Sequence, residues 1–382
     1  MTRTRRLGAY AAVTLLGVVV GVGVLEVTGR LLLEPLLARY SDNQVLKHQL
    51  AKPKDLGIAG LYVPHHYYLY GSRPAYRSDD GAVRHNRVGC RAEEVPMARR
   101  SGVTRIVTVG GSTTYSTLVR RNEDVYTYRL QALLAEWAGK RGLGRTFEVI
   151  NCGVPGATSA ENLSRYIFAL SEYRPDLLLV QQGINDALPR ALPHMSRDYR
   201  EFAKTWEEPG TSQSRWFVSR LFRAARQKFG DSIWTQGVNF LVRRPFWDAR
   251  ASGAGDENYE RNTAGVFDAN TRYLVRLGRQ DGADVLLLTE HVVADKGADW
   301  RRMPPGRMRA TLEHNAVVET IARDERTLFL DVQAALCACS ERMPDGRHLN
   351  EQGEAEKARA IFDYLTQAAV LERWLSARRG AS

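Results

Sequence analysis

The chain has 382 residues, of which 44% are hydrophobic and 25% are charged, and its net charge at pH 7 is +11. This hydrophobic fraction is normal for a globular protein, so the composition excludes disorder as the overall state. The positive charge favours an acidic partner, such as an anionic polymer or lipid headgroups. No nucleic-acid partner is expected, because the arginines are dispersed and no recognition motif is present.

The first predicted element is an N-terminal helix. Three arginines precede an uncharged stretch at residues 7–25, which approaches the ~20 residues that a membrane-spanning helix needs. A cleaved signal peptide is the alternative, but its apolar core is usually shorter and no small-x-small cleavage site follows. We therefore predict an uncleaved, single-pass transmembrane anchor within residues 1–30, which places the catalytic domain outside the cytoplasm. Residues 31–60 would form a juxtamembrane connector.

The main domain is predicted to span residues 61–382. Its first part, residues 61–96, is rich in Tyr, His and Arg and contains many turn residues, which indicates irregular strands and loops. His65 and His66 are adjacent, but no third ligand occurs at a useful spacing, so no metal site is expected.

The cysteines give little information about the compartment. None has the paired spacing of a structural zinc site, and the last two are too close together to staple a fold. The four are Cys90, Cys152, Cys337 and Cys339.

Beyond residue 105, short apolar runs alternate with helical patterns. The runs have the composition of buried strands and occupy residues 106–109, 147–150, 177–180, 285–288 and 328–330. The helical patterns occupy residues 125–137, 160–173, 259–277 and 351–375. This alternation indicates βαβ units. The sequence therefore predicts an α/β fold, with a doubly wound parallel sheet of about five strands between two layers of helices.

Polar, glycine-containing turns follow four of these strands. They occupy residues 110–112, 151–159 and 181–186, with 344–350 a short loop after the fifth strand. Ligands of open parallel sheets bind beyond the carboxyl ends of the strands. We therefore expect these turns to meet at one rim and to form the functional site.

The side chains in these turns suit nucleophilic catalysis. The hydroxyl of Ser112 is a weak nucleophile until a base removes its proton. His348 can act as that base, and Asp345, three residues earlier, can hold the imidazole in the required tautomer. The oxyanion that forms needs fixed donors. The candidates are the backbone N–H groups of Ser112 and Gly156 and the side-chain amide of Asn185.

Each of these residues also has a structural alternative. Ser112 and Asn185 could cap helices, Gly156 could be an ordinary loop glycine, and His348 could be a surface histidine. Taken together, in this order and in this strand context, chance explains them poorly.

The four turns resemble the motifs of the SGNH hydrolases, also called the GDSL esterase/lipase family. Ser112 in GGSTT matches the family nucleophile, and Gly156 in GVPGATS resembles the glycine of the second motif. Asn185 in GIND matches the third motif, and Asp345 and His348 in DGRH match the Asp-x-x-His motif.

The resemblance covers residues 105–365 and departs from the family at one position. Gly111 replaces the common Asp, as in membrane-anchored bacterial members, which residues 86–94 also resemble. Membership implies a three-layer α/β/α, flavodoxin-like fold. It also implies ester hydrolysis or acyl transfer without a metal or organic cofactor.

A long segment, residues 187–258, separates the third and fourth strands, and its length predicts an added lid. Within it, residues 215–230 form either a basic amphipathic helix for a membrane or anionic glycan, or a lid helix with a solvated basic face.

Three functions are consistent with these patterns. The first is a serine esterase that removes acyl groups, acetyl foremost, from a cell-surface or secreted polysaccharide through an acyl-enzyme on Ser112. The second is an O-acetyltransferase in which a sugar hydroxyl replaces water. The third is a catalytically silent glycan-binding protein, although retention of every motif position argues against it. A lipase or thioesterase also fits the family.

Overall fold

The computed structural model describes residues 3–33, 61–65, 67–98, 100–199, 202, 257–293 and 305–377. The chain divides into two units, one made of residues 1–61 and 207–247 and the other of residues 62–206 and 248–382. The predicted connector beyond residue 33 and most of the predicted lid, including residues 215–230, lie outside the described residues.

Helix α1 (Arg3–Thr28) lies in the first unit and continues into a π-helical turn, Gly29–Leu33. None of the helices that the structure describes combines the length and the apolar character needed to cross a bilayer. The transmembrane anchor within residues 1–30 stays a prediction.

The second unit is built on a five-stranded parallel sheet in the order β4-β3-β5-β6-β7. All five predicted strands are present: β3 (Val103–Gly110), β4 (Thr146–Asn151), β5 (Leu177–Gln181), β6 (Asp284–Leu288) and β7 (Leu328–Leu330). An antiparallel hairpin, β1 (Tyr62–His65) with β2 (Leu69–Ser72), precedes the sheet and accounts for part of the irregular region predicted there.

Nine helices of this unit lie among the described residues. They are α2 (Ser112–Tyr115), α3 (Tyr126–Lys140), α4 (Ser159–Arg165), α5 (Asn258–Arg261), α6 (Gly265–Gln280), α7 (Pro305–Glu325), α8 (Val332–Ala335), α9 (Glu351–Gln367) and α10 (Val370–Ala377). Helix α4 continues through a π-helical and a 3₁₀ turn to Tyr173, so the predicted helical segment 160–173 is confirmed.

The core has two apolar layers because successive strand residues point to opposite faces of the sheet. On one face, Ile106 and Leu179 pack with α3 and α9. On the other, Val107 and Val180 pack with helical segments that include α6 and α7. Helices therefore cover both faces of the sheet, as expected from the alternating pattern.

Three helical regions differ from the predictions. The predicted helix over residues 259–277 is two helices, α5 and α6, with residues 262–264 between them. Helix α7 was not predicted, because the first half of its buried face carries Ala310, Thr311 and His314, and large apolar residues occur only in the second half. The predicted helix over residues 351–375 is two helices, α9 and α10, since Ala369 between them has φ +53°.

The cysteines also differ from the interpretation of the sequence, because all four form disulfides. Cys90 pairs with Cys152 across 62 residues, and both are fully buried. Cys337 pairs with Cys339. The sequence interpretation missed the first pair because only the fold brings these two distant segments together.

Candidate active site

Ser112 lies immediately beyond the carboxyl end of β3, an inner strand of the sheet. Strand β3 pairs with β4 on one side and β5 on the other, and it ends at Gly110. After Gly111, the chain turns into the short helix α2, which begins at Ser112. The loops after β4 and β5 therefore flank the serine, as the topology of parallel sheets requires.

A hydrogen-bonded chain joins Ser112, His348 and Asp345. The Oγ of Ser112 lies 2.7 Å from Nε2 of His348, and Nδ1 of His348 lies 2.6 Å from Oδ2 of Asp345. His348 is 7% exposed. The imidazole therefore contacts the hydroxyl on one side and the carboxylate on the other, which is the arrangement that serine nucleophiles require.

The turn from Asp345 to His348 is held by its own carboxylate. Oδ1 of Asp345 accepts hydrogen bonds from the backbone N–H groups of Arg347 and His348, at 3.2 and 2.8 Å. Burial raises the pKa of Asp345, but these bonds and the contact with the His348 ring outweigh it and lower the pKa to about 2. The carboxylate is thus ionised at neutral pH and can stabilise a charged imidazole.

Gly156 lies in the loop after β4 with φ +83°, a conformation that favours glycine. A Cβ here would lie 2.6 Å from the hydroxyl oxygen of Tyr70. That hydroxyl donates a hydrogen bond to the carbonyl of Pro155 at 2.7 Å, so strand β2 supports the loop. Both the backbone conformation and the close contact therefore require glycine.

Asn185 lies in the loop after β5 and bridges the two flanking loops. Its Nδ2 donates to the carbonyl of Ala157 at 2.9 Å. A Cβ on Gly111 would lie 2.6 Å from the same nitrogen. The missing side chain at position 111 therefore leaves room for the Asn185 amide beside the turn that carries Ser112.

Asp186 also connects the loop after β4 to the loop after β5. Its carboxylate accepts hydrogen bonds from the backbone N–H and the hydroxyl of Ser159, the first residue of α4. Burial raises the pKa of Asp186 to about 6, although the Ser159 bonds oppose this shift. The Asp186 carboxyl group therefore binds the first residue of α4 and joins the loop that contains Asn185 to the loop that contains Gly156.

All five predicted site residues lie within the described part of the chain. The structure joins Ser112, His348 and Asp345 directly, and it places Asn185 beside the Ser112 turn and in contact with the loop that contains Gly156. Within the described residues, no group of three or more His, Cys, Asp or Glu side chains could hold a metal ion. The arrangement suits attack on an acyl carbonyl by a serine hydroxyl.

Sequence reasoning missed a set of buried polar residues behind Ser112. Glu290 and His291 follow β6, and Lys357 lies on α9; each is at most 1% exposed. The rule that sites form after strands could have identified Glu290, because it follows a predicted strand. Lys357 gave no signal, since a lysine in a polar helical sequence usually faces solvent.

A model of the GDSL-like lipase/acylhydrolase family matches residues 108–355. No curated protein matches the chain. Similar solved structures include an acetylxylan esterase from Geobacillus stearothermophilus, 18% identical, covering 69% of this chain and 94% of that chain with a TM-score of 0.40. Another is a putative GDSL-like lipase from Parabacteroides merdae, 14% identical, covering 71% and 98%, with a TM-score of 0.41. A GDSL-like lipase from Bacteroides thetaiotaomicron is 15% identical, covering 72% and 93%, with a TM-score of 0.38.

Proposed function

The chain belongs to the GDSL-like lipase/acylhydrolase family and is a serine hydrolase that acts on esters, and we propose that Ser112 is its nucleophile. The observation that carries this assignment is the hydrogen-bonded chain from Ser112 Oγ through His348 to Asp345. Among the described residues of the four motif turns, Ser112 is the only one whose hydroxyl is hydrogen-bonded to an imidazole.

In the proposed reaction, Nε2 of His348 takes the Ser112 proton as Oγ attacks the ester carbonyl carbon. The carbonyl oxygen becomes an oxyanion, for which the N–H groups of Ser112 and Gly156 and the Asn185 amide are the proposed donors. The intermediate collapses as protonated His348 gives its proton to the leaving alcohol. Water then gives a proton to His348 and attacks the acyl carbon; the bond to Oγ breaks, the free acid leaves, and His348 returns the proton to Ser112. Asp345 orients the imidazole throughout.

The substrate that we propose is an acyl ester, acetyl foremost, on a cell-surface or secreted polysaccharide. The net charge of +11 supports an anionic polymer as the partner. The family alone does not set the substrate, because one fold hosts many specificities. The alternative acceptor, a sugar hydroxyl in place of water, becomes an outcome of the test.

The test uses the full chain with a short activated acyl ester and with acetylated polysaccharides. We expect wild type to release the free acid, and Ser112→Ala to be at least ~1,000-fold slower, because the nucleophile is lost. Unchanged turnover by Ser112→Ala would exclude the proposed nucleophile. Formation of acetylated acceptor faster than free acetate would assign the chain as a transferase.

We propose further that the domain functions outside the cytoplasm, attached to the cell membrane by α1. The buried Cys90–Cys152 disulfide supports an oxidising compartment. The uncharged residues 7–25 and the exposed apolar side chains within α1, such as Val13 and Leu15, support membrane association. A reporter that is active only outside the cytoplasm, fused after the last residue, should be active. Activity of a cytoplasm-specific reporter instead would refute this location.

A further inference from the structure

Four buried side chains lie directly behind the nucleophile and take no part in the proposed reaction. They form what we call the buried network: Thr113, Gln181, Glu290 and Lys357. Thr113 is 2% exposed, and the other three are fully buried. Burying ionisable groups is costly unless they are paired and hydrogen-bonded. Their presence at this position therefore needs an explanation.

Lys357 holds the backbone of the turn that carries the nucleophile. Its Nζ donates to the carbonyl oxygen of Thr113 at 3.0 Å and to Oε1 of Gln181 at 2.5 Å. Nζ also lies 3.9 Å from the ring centroid of Tyr126. The ammonium thus connects α9 to the residue after Ser112 and to the last residue of β5.

Glu290 holds the side chain of the same residue. The hydroxyl of Thr113 donates to Oε2 of Glu290 at 2.9 Å. Thr113 is therefore fixed at two points, its carbonyl by a cation and its hydroxyl by a carboxylate. Burial raises the pKa of Glu290 and lowers that of Lys357, whereas their mutual attraction favours the charged forms of both.

A second carboxylate fixes the far end of the same turn. Oε2 of Glu354, one helical turn before Lys357, accepts hydrogen bonds from the hydroxyl of Ser116 at 2.7 Å and the N–H of Tyr126 at 2.8 Å. Helix α9 therefore contacts both ends of α2. Because Thr113 is bonded covalently to Ser112, fixing Thr113 also restricts the backbone from which Oγ projects.

We propose that Lys357 and Glu290 are positioning residues for the nucleophile: by binding the carbonyl and the hydroxyl of Thr113, they keep Ser112 Oγ within hydrogen-bond reach of His348 Nε2. This inference rests on the proposed function of Ser112. It predicts an effect on the reactivity of the serine rather than on substrate binding. A displacement of about 1 Å at a reacting group can cost ~100-fold in rate.

The decisive experiment compares Thr113→Val, which removes the hydroxyl with little change in shape, with Thr113→Ser, which keeps it. The rate of covalent labelling of Ser112 by a fluorophosphonate is measured together with kcat and KM for a short acyl ester. We expect Thr113→Val and Lys357→Met to slow labelling and kcat by roughly 10- to 100-fold with KM little changed. Thr113→Ser should stay close to wild type.

The matched control is Glu148→Gln. Glu148 forms a similarly buried ion pair with Arg105, with Nε and Oε2 2.9 Å apart, near the opposite end of β3. This variant should unfold at lower urea concentration than wild type and yet label at the wild-type rate. An equal loss of labelling in Glu148→Gln would show a general effect of destabilisation and overturn the inference.

Two further outcomes are distinguishable. If folded Thr113→Val labels as fast as wild type, the positioning role is refuted while the nucleophile assignment stands. If wild type itself does not label, the proposed function fails, and the inference fails with it. The Thr113 pair gives a result even where Lys357→Met does not fold.

Discussion

Asp345 makes three contacts with the residues that follow it, and they fix both the turn and the imidazole. One oxygen accepts from two backbone N–H groups, and the other lies 2.6 Å from Nδ1 of His348. The contact between Oδ2 and Nδ1 requires a proton on Nδ1. Nε2 is then free to accept the proton of Ser112.

Replacing Asp345 with Asn tests this assignment. We expect kcat to fall by up to about 10,000-fold, because an amide can stabilise the wrong tautomer and cannot balance the imidazolium charge. KM should change little, and the kinetics of acyl-ester hydrolysis provide the measurement. A variant that retains most of the wild-type kcat would remove Asp345 from the mechanism.

The same substitution has a consequence for acid stability. The pKa of Asp345 is about 2 in the fold, below its ordinary value of 3.8. A lowered carboxyl pKa gives stability that is present above pH 3.8 and is lost as the pH falls towards 2. Urea unfolding of Asp345→Asn should therefore lack this part of the acid dependence.

The sequence identified the five motif residues because family motifs preserve local order. It could place Glu290 after a strand but could not show its contact with Thr113, and it gave no signal for Lys357 on α9. Such partners are set by tertiary packing rather than by spacing along the chain.

Among the elements, the segment before β3 is joined to the rim of the sheet by the Cys90–Cys152 disulfide and by Arg91. The N–H of Arg91 donates to the carbonyl of Asn151 at 2.7 Å. Its buried guanidinium donates to the carbonyls of four residues that end or follow α2, namely Tyr115, Ser116, Val119 and Arg120. This segment therefore supports both the loop after β4 and the helix that begins at Ser112.

Removing this disulfide should destabilise the domain measurably. In the chain-entropy model, a bond across 62 residues contributes about 4 kcal/mol. We expect the double variant Cys90→Ala/Cys152→Ala to unfold at a clearly lower urea concentration than wild type.

Cys337→Ala/Cys339→Ala is the matched control, because that bond closes a very short loop and should affect stability little. Equal urea midpoints for the Cys90/Cys152 variant and wild type would contradict the structural role of the long-range disulfide.

Element types were predictable where the pattern was periodic, as in the five strands and α3. Helix α7 was not, because large apolar residues such as Ile321 occupy only the second half of its buried face, and polar His314 lies in the first half. The Nδ1 of His314 lies 2.8 Å from the carbonyl oxygen of Gly183, so this face serves the loop after β5. A polar contact of that kind is invisible to a search for apolar periodicity.

Over the whole molecule, buried ionisable groups make stability depend on pH in two opposing ways. Burial lowers the pKa of His85 to about 4 and of His314 to about 3, which favours folding above pH 6.5 and weakens it as the pH falls. Burial raises the pKa of Asp186 to about 6 and also raises that of Glu354. The raised pKa of Asp186 makes the fold more stable as the pH falls from about 6 to 4.

A single substitution isolates the histidine contribution. We expect His314→Gln to be less stable than wild type at pH 7, because the contacts with Gly183 and Arg190 change. The difference in unfolding free energy should shrink as the pH falls from 7 to 5, by up to about 1.4 kcal/mol per pH unit. A difference that stays constant over this range would show that His314 titrates normally in the fold.

The layered architecture was predictable as a whole because strand and helix signals alternate, and handedness rules leave few topologies. The disulfide pairing and the network behind Ser112 were not, since both depend on residues that meet only after the sheet has formed.

The central claim is that Ser112 is an activated nucleophile. Incubation of the full chain with a fluorophosphonate, followed by intact-mass analysis and peptide mapping, measures this directly. We expect one adduct, on Ser112, and none on Ser112→Ala. A folded wild-type protein that stays unmodified, or an adduct that maps to another residue, would contradict it.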